Sequence, residues 1–184
     1  IVVDVSKHFT RIIDFNKQEK PVTVQPGVIR DELNRFLEPH GLFFGPNTST
    51  SNRCMIGGMV GNNSSGTTSI QYGVTRDKVM ELKTLLSDGS EAVFNSINPE
   101  EFSQKRKLNT LEGNIYNTIY EQLHSKEAQK DIKSNYPKPE IHRRNTGYAL
   151  DSLLDNEVFS NKPEAFNMCK LLAGSEGTLA FTTE

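Results

Sequence analysis

The sequence predicts an α+β fold, in which a mixed or antiparallel sheet is flanked by helices. Short runs rich in β-branched residues are separated by polar turns, a pattern typical of a sheet meander. Longer stretches repeat their apolar residues at intervals of three and four, which is typical of amphipathic helices. Because strands and helices alternate along the chain without an internal repeat, the pattern disfavours a helical bundle or a β-sandwich.

The first elements are predicted to be strands. Residues 1–5, 11–15 and 21–25 are short runs dominated by β-branched residues, with polar turns between them. Pro26-Gly27 then signals a turn. The chain opens and closes inside apolar runs, so we expect it to be a fragment of a longer protein.

A helix is predicted over residues 28–40, because its apolar residues recur at helical spacing and share one face. Pro39 and Gly41 are expected to end it. The residues of that face are Ile29, Leu33, Phe36 and Leu37. A second, short helix is predicted around Ile56, Met59 and Val60, which are spaced in the same way.

Residues 79–94 return to sheet patterning. A strand over 79–86, a turn at Asp88-Gly89 and a returning strand over 91–94 form a predicted hairpin. Residues 98–108 are polar and carry three consecutive cations, so we expect a solvated loop there.

The last third of the chain is predicted to be mainly helical. Apolar residues on one face indicate a helix over 111–133, which the prolines of residues 136–139 would end. Pro163 suits the first turn of a last helix that runs to about residue 172. A tight loop over 173–177 and a closing strand over 178–183 complete the chain.

Composition excludes several classes of protein. The 184 residues hold 21 Lys and Arg against 23 Asp and Glu, for a net charge of −2. A general nucleic-acid binder would show an excess of cations. No apolar run approaches the roughly 18 residues of a membrane span. Two cysteines are too few for a disulfide scaffold, so we expect a reducing, cytoplasmic compartment. A peripheral association of the parent protein with a membrane stays open.

Residues 45–69, here called the glycine-rich segment, have an unusual composition. They hold five Gly, five Ser, four Thr and four Asn, and only Arg53 is charged. One interpretation is a flexible linker. The apolar residues Cys54-Met55-Ile56 and Met59-Val60 favour the alternative, a folded loop whose surface a ligand can approach closely.

The familiar catalytic motifs are absent from the sequence. The four histidines are scattered and no Cys-x-x-Cys pair exists, so no metal site is expected. Neither the nucleophile elbow, the Walker A loop nor the G-x-G-x-x-G turn is present. What remains is the glycine-rich segment and a second small-residue loop at 173–178, here called the GSEG loop. Such loops expose backbone N–H groups to anionic ligands, and a carboxylate among them would repel phosphate.

The stretch from Gly45 to Gly66, GPNTSTSNRCMIGGMVGNNSSG, resembles the core of the PCMH-type (vanillyl-alcohol-oxidase-type) FAD-binding flavoproteins. Tyr72-Gly73 stands where that family has its Y-G pair, and PVTVQPG at 21–27 is similar to its V-x-P-G strand. GSEGTL at 174–179 resembles the family's G-S-E-G-T-L loop. RNTGYAL at 144–150 resembles the D-2-hydroxyacid dehydrogenase branch, which includes glycolate oxidase FAD subunits and D-2-hydroxyglutarate dehydrogenases. Asn47 departs from the family's usual Asp.

The resemblance implies a noncovalently bound FAD and a set of residues that contact it. Alternatives remain: Gly57 and Gly58 as tight-turn glycines, Cys54 as a small buried residue, and Glu176 as a solvent-facing turn carboxylate. The implied cofactor-binding residues are Pro46, Thr48, Ser49, Ser51, Cys54, Met55, Ile56, Gly57, Gly58, Asn62, Asn63, Ser64, Gly66, Glu176 and Gly177.

The segment around residues 143–148 has two interpretations as well. In the first interpretation the segment approaches the flavin edge through Asn145, Gly147 and Tyr148. In the second it forms a structural turn followed by a core tyrosine. Arg143 and Arg144 either favour an anionic hydroxy acid or form a surface salt bridge, and the salt bridge is the preferred interpretation.

The resemblance also implies an activity for the parent protein. It would oxidise a D-2-hydroxy acid of the lactate, glycolate or 2-hydroxyglutarate type to the 2-oxo acid, by hydride transfer to flavin N5. Residues 1–184 would then be part of one PCMH-type domain, its second subdomain. The upstream pyrophosphate-loop subdomain, the cap domain with the catalytic base and metal, and an iron–sulfur module would lie elsewhere.

No catalytic residue is therefore expected within this chain, and the fragment alone is expected to be inactive. The sequence does not identify the electron acceptor. Two alternatives stay open: a non-redox binding or assembly module on a degenerate FAD fold, and a related oxidase or reductase that acts on another alcohol or sugar.

Overall fold

The strands form three small antiparallel sheets in the computed structural model, which describes residues 2–138, 140–141, 143–144, 147–160 and 162–184. β1 (Ile12–Phe15) pairs with β2 (Val22–Val24). β3 (Leu82–Leu85) lies between β4 (Glu91–Phe94) and β7 (Phe181–Thr182), and β5 (Ser96–Ile97) pairs with β6 (Phe166–Asn167). The α+β class is confirmed, and every described strand pair is antiparallel.

Seven α-helices accompany the described strands, and three of them are only four to six residues long. They are α1 (Arg30–Leu37), α2 (Ile56–Gly61), α3 (Ser69–Tyr72), α4 (Pro99–Lys105), α5 (Leu111–Leu123), α6 (Lys126–Asn135) and α7 (Cys169–Leu172). Single 3₁₀ turns cover Glu38–His40, Thr75–Lys78 and Leu150–Leu153. Within the part of the chain that the structure describes, no helix combines the length and apolar character needed to span a membrane.

The N-terminal part packs α1 against the β1–β2 hairpin. Val28, Leu33 and Leu37 are buried there and contact half-buried strand residues such as Val22 and Val24. Acidic residues in the first turn of α1 and a basic residue in its last turn complement the helix dipole. Gly41 ends the helical stretch at φ +68°, a left-handed conformation that glycine adopts without strain. The predicted helix is therefore confirmed over residues 30–40. Ile29 is instead extended and pairs with Met55, and Phe36 of the predicted apolar face is exposed.

The main core joins the β3–β4–β7 sheet to the helices that follow it. Phe102 contacts Phe166 with ring centroids 4.8 Å apart, and Tyr116 packs edge-on against Phe102 at 5.4 Å. Tyr116 and Phe166 are completely buried. The predicted hairpin of residues 79–94 is confirmed, with Gly89 in its turn at φ +82°. The predicted closing strand pairs with β3 but holds only two residues.

The first predicted strand is not formed. Ile1 lies outside the described residues, and residues 2–5 adopt no strand. Val2 is 98% exposed and Val3 is 56% exposed. A strand requires a neighbouring backbone for its hydrogen bonds, and residues 2–5 pair with no strand in the described part of the chain.

The predicted solvated loop over 98–108 is wrong, because α4 occupies most of it. The Asn98 side chain accepts a hydrogen bond from the Glu101 N–H at 2.9 Å, and the Glu101 carboxylate accepts one from the Asn98 N–H at 2.9 Å. This reciprocal capping box, with Pro99 in the first turn, starts a helix. Phe102 then anchors the helix in the core.

Two predicted helices have different bounds in the structure. The helix over 111–133 is divided into α5 and α6, because the Ser125 hydroxyl accepts from the Ala128 N–H at 3.1 Å and starts a new helix. The helix predicted from Pro163 is wrong over its first half. Residues 166–167 instead pair with β5, and the Asn167 side chain accepts from the Cys169 N–H at 2.8 Å, where α7 begins.

Candidate functional site

Two loops that the sequence marks separately as ligand loops lie against each other in the structure. The Gly174 N–H donates to the Val60 carbonyl at 2.9 Å, and the Glu176 N–H donates to the Gly61 carbonyl at 2.9 Å. These bonds join the end of α2 to the GSEG loop, more than a hundred residues further along the chain. The pairing of β7 with β3 fixes the chain directly after that loop. The glycine-rich segment and the GSEG loop therefore form one continuous surface.

The GSEG loop is built from left-handed backbone conformations. Gly174, Glu176 and Gly177 have φ values of +94°, +53° and +71°. Thr178 closes the turn, since its N–H and its hydroxyl both donate to the Ser175 carbonyl, at 3.0 and 2.6 Å. Positive φ is uncommon for a residue other than glycine. Glu176 holds it with its backbone tied to Gly61 and its side chain exposed.

Two adjacent glycines of α2 have different surroundings. A Cβ built on Gly57 would overlap the side chain of Pro26, whose carbonyl also accepts the Gly57 N–H at 2.8 Å. A Cβ on Gly58 would meet nothing within 4 Å. Gly57 is therefore required by packing against the Pro26 turn. Gly58 is exposed and presents bare backbone to open space.

Gly66 and Gly177 repeat this contrast. A Cβ on Gly66 would overlap the carbonyl oxygen of Asn47, so this glycine allows two stretches of backbone within the glycine-rich segment to come into contact. A Cβ on Gly177 would meet nothing within 4 Å. Gly58 and Gly177 thus flank the contact between Gly61 and Glu176, and both face open space.

The start of the glycine-rich segment is tied to α1. The Arg30 side chain donates to the Pro46 carbonyl at 3.1 Å, and the Ser51 hydroxyl donates to the Asp31 carboxylate at 3.1 Å. Cys54 is half-buried, with its Sγ 3.3 Å from the Thr48 hydroxyl and 3.6 Å from the Met59 sulfur. Ser49 is exposed, whereas Met55 and Ile56 are half-buried. These contacts make the segment an ordered loop rather than a linker.

Three polar residues at the end of α2 face different environments. Asn62 is exposed, and its side chain donates to the Ser64 hydroxyl at 3.1 Å. Asn63 is 1% exposed, and its side-chain oxygen accepts the Arg76 N–H at 2.8 Å. Ser64 is buried, and its carbonyl accepts from both the N–H and the hydroxyl of Thr75, at 3.0 and 2.6 Å. Asn62 is thus available to a ligand. The Asn63 side-chain oxygen serves an internal contact, whereas its buried side-chain nitrogen has no hydrogen-bond partner among the described residues.

The segment around residue 148 adds a third part to this surface. The Tyr148 hydroxyl lies 2.7 Å from the Thr178 hydroxyl, and Tyr136 donates to the Tyr148 carbonyl at 2.7 Å. Tyr148 is 44% exposed, so it is not a core tyrosine. The Gly147 carbonyl lies 3.4 Å from the position of a Cβ on Gly174. Asn145, which the sequence placed beside them, lies outside the described residues.

The two arginines of this segment differ. Arg144 forms an ion pair with Asp151 at 2.5 Å, and both side chains are less than a fifth exposed. This supports the salt-bridge interpretation, although the pair is more buried than a surface pair. Arg143 is exposed.

Sequence reasoning missed Arg76, which follows the Tyr72-Gly73 pair. Its guanidinium donates to the Ala173 carbonyl at 2.6 and 3.2 Å and to the Lys170 carbonyl at 2.8 Å. Burial lowers the pKa of Arg76, and the nearby Arg144 lowers it further, while Asp151 and Asp77 oppose the shift. Its partners lie 94 and 97 residues away, so local sequence offers no signal for this contact.

Comparison with known proteins identifies the family. The family model described as "FAD binding domain" matches residues 1–95, about half of the chain, and the chain belongs to that family. The D-2-hydroxyglutarate dehydrogenase of Escherichia coli (strain K12) is 41% identical over the whole chain, which covers 17% of that protein. The protein of the same name from Haemophilus influenzae is 40% identical over the whole chain and 17% of its own length. Glycolate oxidase subunit GlcD of Bacillus subtilis is 40% identical over 83 residues, which is 45% of this chain and 18% of that protein.

The chain spans about a sixth of the length of the two D-2-hydroxyglutarate dehydrogenases. FAD is the cofactor of the family, and the exposed surface fits it. Gly58 and Gly177 leave backbone groups open, as close approach to a diphosphate or a ribityl chain requires. Among the described residues, no group of three or more His, Cys, Asp or Glu side chains is arranged to hold a metal ion.

Proposed function

We propose that this chain supplies part of the FAD site of a flavin-dependent oxidoreductase that oxidises a D-2-hydroxy acid to the 2-oxo acid. The single observation that carries the assignment of the site is the pair of hydrogen bonds joining Gly174 to Val60 and Glu176 to Gly61. They combine both predicted ligand loops into one surface. Residues 1–184 form, in this proposal, part of one FAD-binding domain, and the protein works in the cytoplasm.

The residues of this chain bind and orient the cofactor. Exposed backbone at Gly58 and Gly177 approaches the polar part of FAD, and Asn62, Ser49 and Thr48 add neutral hydrogen-bonding groups. Gly57 and Gly66 fix the loop on which these groups stand. When bound, FAD supplies the electron acceptor for the oxidation. The proton acceptor, the substrate contacts and the route of the electrons out of the flavin lie elsewhere in the parent protein.

The names of the relatives support the proposed substrate class. Four proteins named D-2-hydroxyglutarate dehydrogenase are 37–41% identical over the whole chain. A fifth protein of that name, from Stutzerimonas stutzeri, matches 45% of the chain, and the glycolate oxidase and D-lactate dehydrogenase relatives match 45–60% of it. D-2-hydroxyglutarate is therefore the first substrate to test, followed by D-lactate and glycolate.

The first experiment is an absorption spectrum of the full-length protein, purified without added flavin. We expect the bands of oxidised flavin, and bleaching of those bands by one of the three hydroxy acids under anaerobic conditions. A folded, colourless protein that added FAD leaves unchanged would contradict the proposal and favour a non-redox module.

The glycine pair of α2 tests the placement of the cofactor. Gly58→Ala adds a methyl group to open space, and Ala favours a helix over Gly by about 1 kcal/mol. We expect the apoprotein to keep its stability, while FAD binds on the order of tenfold more weakly, about 1.4 kcal/mol. Unchanged FAD affinity in Gly58→Ala would show that FAD does not lie over this backbone.

A further inference from the structure

Arg76 forms hydrogen bonds to both parts of the surface that the glycine-rich segment and the GSEG loop share. Its backbone N–H is bound by the Asn63 side chain, directly after α2. Its guanidinium donates to the carbonyl of Lys170 and to that of Ala173, the first residue of the GSEG loop. We infer that Arg76 is a positioning residue, which sets the GSEG loop against the glycine-rich segment so that both reach FAD. This inference rests on the proposed function.

The bonds from the guanidinium are well directed. Nε and Nη2 both donate to the Ala173 carbonyl, and Nε also donates to the Lys170 carbonyl. Hydrogen bonds from a charged donor are shorter and stronger than neutral ones. The rigid, planar fork of arginine reaches both carbonyls together, which the single ammonium of lysine cannot reproduce. The position of Ala173 therefore depends on the guanidinium in particular.

The loop is shaped to admit this side chain. A Cβ on Gly174 would lie 2.7 Å from Arg76 Nη2 and 3.4 Å from the Gly147 carbonyl. Gly174 also holds φ +94°, which disfavours any other residue. The first glycine of the GSEG loop is thus required by contact with Arg76 and with residue 147 as well as by its own backbone.

Charge near Arg76 is balanced. Asp151 is the ion-pair partner of Arg144, and both belong to the group of charges that acts on Arg76, together with Asp77. Asp77 also accepts the Val74 N–H at 2.9 Å, which fixes the turn that carries Arg76. The cluster thereby holds two cations, Arg76 and Arg144, and two carboxylates, Asp77 and Asp151.

The experiment compares Arg76→Lys and Arg76→Met in the full-length holoprotein. FAD dissociation constants are measured by titrating the apoprotein, and the reduction potential of the bound flavin is measured in the same samples. We expect Arg76→Met to weaken FAD binding by about 100-fold and Arg76→Lys by about tenfold, in line with the loss of charged hydrogen bonds. A shift of the flavin potential is expected in both, because the loop that faces the cofactor has moved.

Arg106→Lys is the matched control. Arg106 donates to the Asn117 side chain at 3.0 and 3.2 Å and stacks on the Tyr120 ring, away from both loops. Arg106→Lys loses a comparable pair of guanidinium hydrogen bonds, so it measures what replacing an arginine by lysine does to the structure away from the two loops. We expect it to leave the FAD dissociation constant and the flavin potential at their wild-type values.

Amide hydrogen exchange of the apoproteins separates loop positioning from general instability. In Arg76→Lys, exchange is expected to accelerate about tenfold in residues 174–178 and to remain unchanged in α5. The exchange measurement on Arg76→Lys tests the inference even if Arg76→Met does not fold. Wild-type affinity, potential and exchange in Arg76→Lys would overturn the inference while leaving the proposed function intact. A wild-type protein that binds no FAD would instead reject the proposed function.

Discussion

The glycine-rich segment and the layer formed by α4, α5 and α6, here called the helical layer, are held in place by different interactions. The segment depends on close contacts at glycines, with Gly66 against the Asn47 carbonyl and Gly57 against the side chain of Pro26. The helical layer packs aromatic rings, with Phe102 and Tyr116 around Phe166. The family model covers residues 1–95 and so includes the segment but ends before the layer.

This difference indicates that different residues of the chain are responsible for stability and for ligand binding. Apolar burial in the helical layer stabilises the fold without regard to a ligand. The glycine-rich segment instead uses small residues to form close contacts, and Gly58 remains exposed at its surface. Substitutions in the two regions should therefore be distinguishable by measuring unfolding and FAD binding separately.

The largest effect is expected for Phe166→Ala, which changes a residue of β6 that packs against the helical layer. Phe166 is fully buried and contacts Phe102, Tyr116 and Phe159. Removing such a ring costs about 3–5 kcal/mol of unfolding free energy. Urea denaturation measures this loss. The fraction that stays folded should bind FAD with wild-type affinity, and a parallel loss of affinity would show that the two regions are not separate.

Gly66→Ala tests the other side of the comparison. The added Cβ overlaps the Asn47 carbonyl, so the backbone of the segment must shift, at a cost of about 1–3 kcal/mol. Here stability and FAD affinity should fall together, because the loop that moves is also the one that faces the cofactor. The control is Gly89→Ala in the distant β3–β4 turn, where glycine also holds a conformation that alanine disfavours. This variant should lower stability and leave FAD affinity unchanged.

Much of the fold could be predicted from side-chain periodicity. The helix at α1 and the hairpin of β3 and β4 follow from local apolar patterns, which depend only on residues close in sequence. The strand at residues 2–5 has the same local pattern but no partner within the described residues, so propensity alone was misleading. α4 was missed although Asn98, Pro99 and Glu101 form a start signal that the sequence does contain.

The candidate site was predictable as two loops but not as one surface. Gly57 and Gly58 are neighbours in sequence, and only the packing of Pro26 distinguishes the structural glycine from the open one. Arg76 could not be assigned because its bonds connect residues 94 and 97 positions apart. The family resemblance supplied the identity of the ligand loops, while three-dimensional contacts decide which residues remain available to a ligand.

A pH-dependent effect of intermediate size is expected at Cys169. Burial raises the pKa of this thiol from 9.0 to about 12, and its Sγ lies 3.0 Å from the Phe94 carbonyl. The raised value means that the folded state keeps a proton which the unfolded state releases above pH 9. Stability is therefore complete below pH 9 and falls with increasing pH, by about 1.4 kcal/mol at pH 10.

Cys169→Ala provides the comparison for that measurement. Denaturation curves at pH 8 and pH 10 should show a smaller loss in the variant than in the wild type, by about 1.4 kcal/mol. Equal losses in both proteins would mean that another group, such as the buried Tyr116 whose pKa is also raised, causes the dependence.

The smallest effect is expected at the start of the helical layer, where Asn98→Ala removes one half of the capping box of α4. The Glu101 N–H loses its acceptor, which costs about 1 kcal/mol of unfolding free energy. FAD affinity should not change, because α4 contacts the aromatic core and lies outside both ligand loops. Asn98→Asp keeps a side-chain acceptor at this position and should retain wild-type stability. If Asp destabilises the protein as much as Ala, Asn98 acts through something other than the cap.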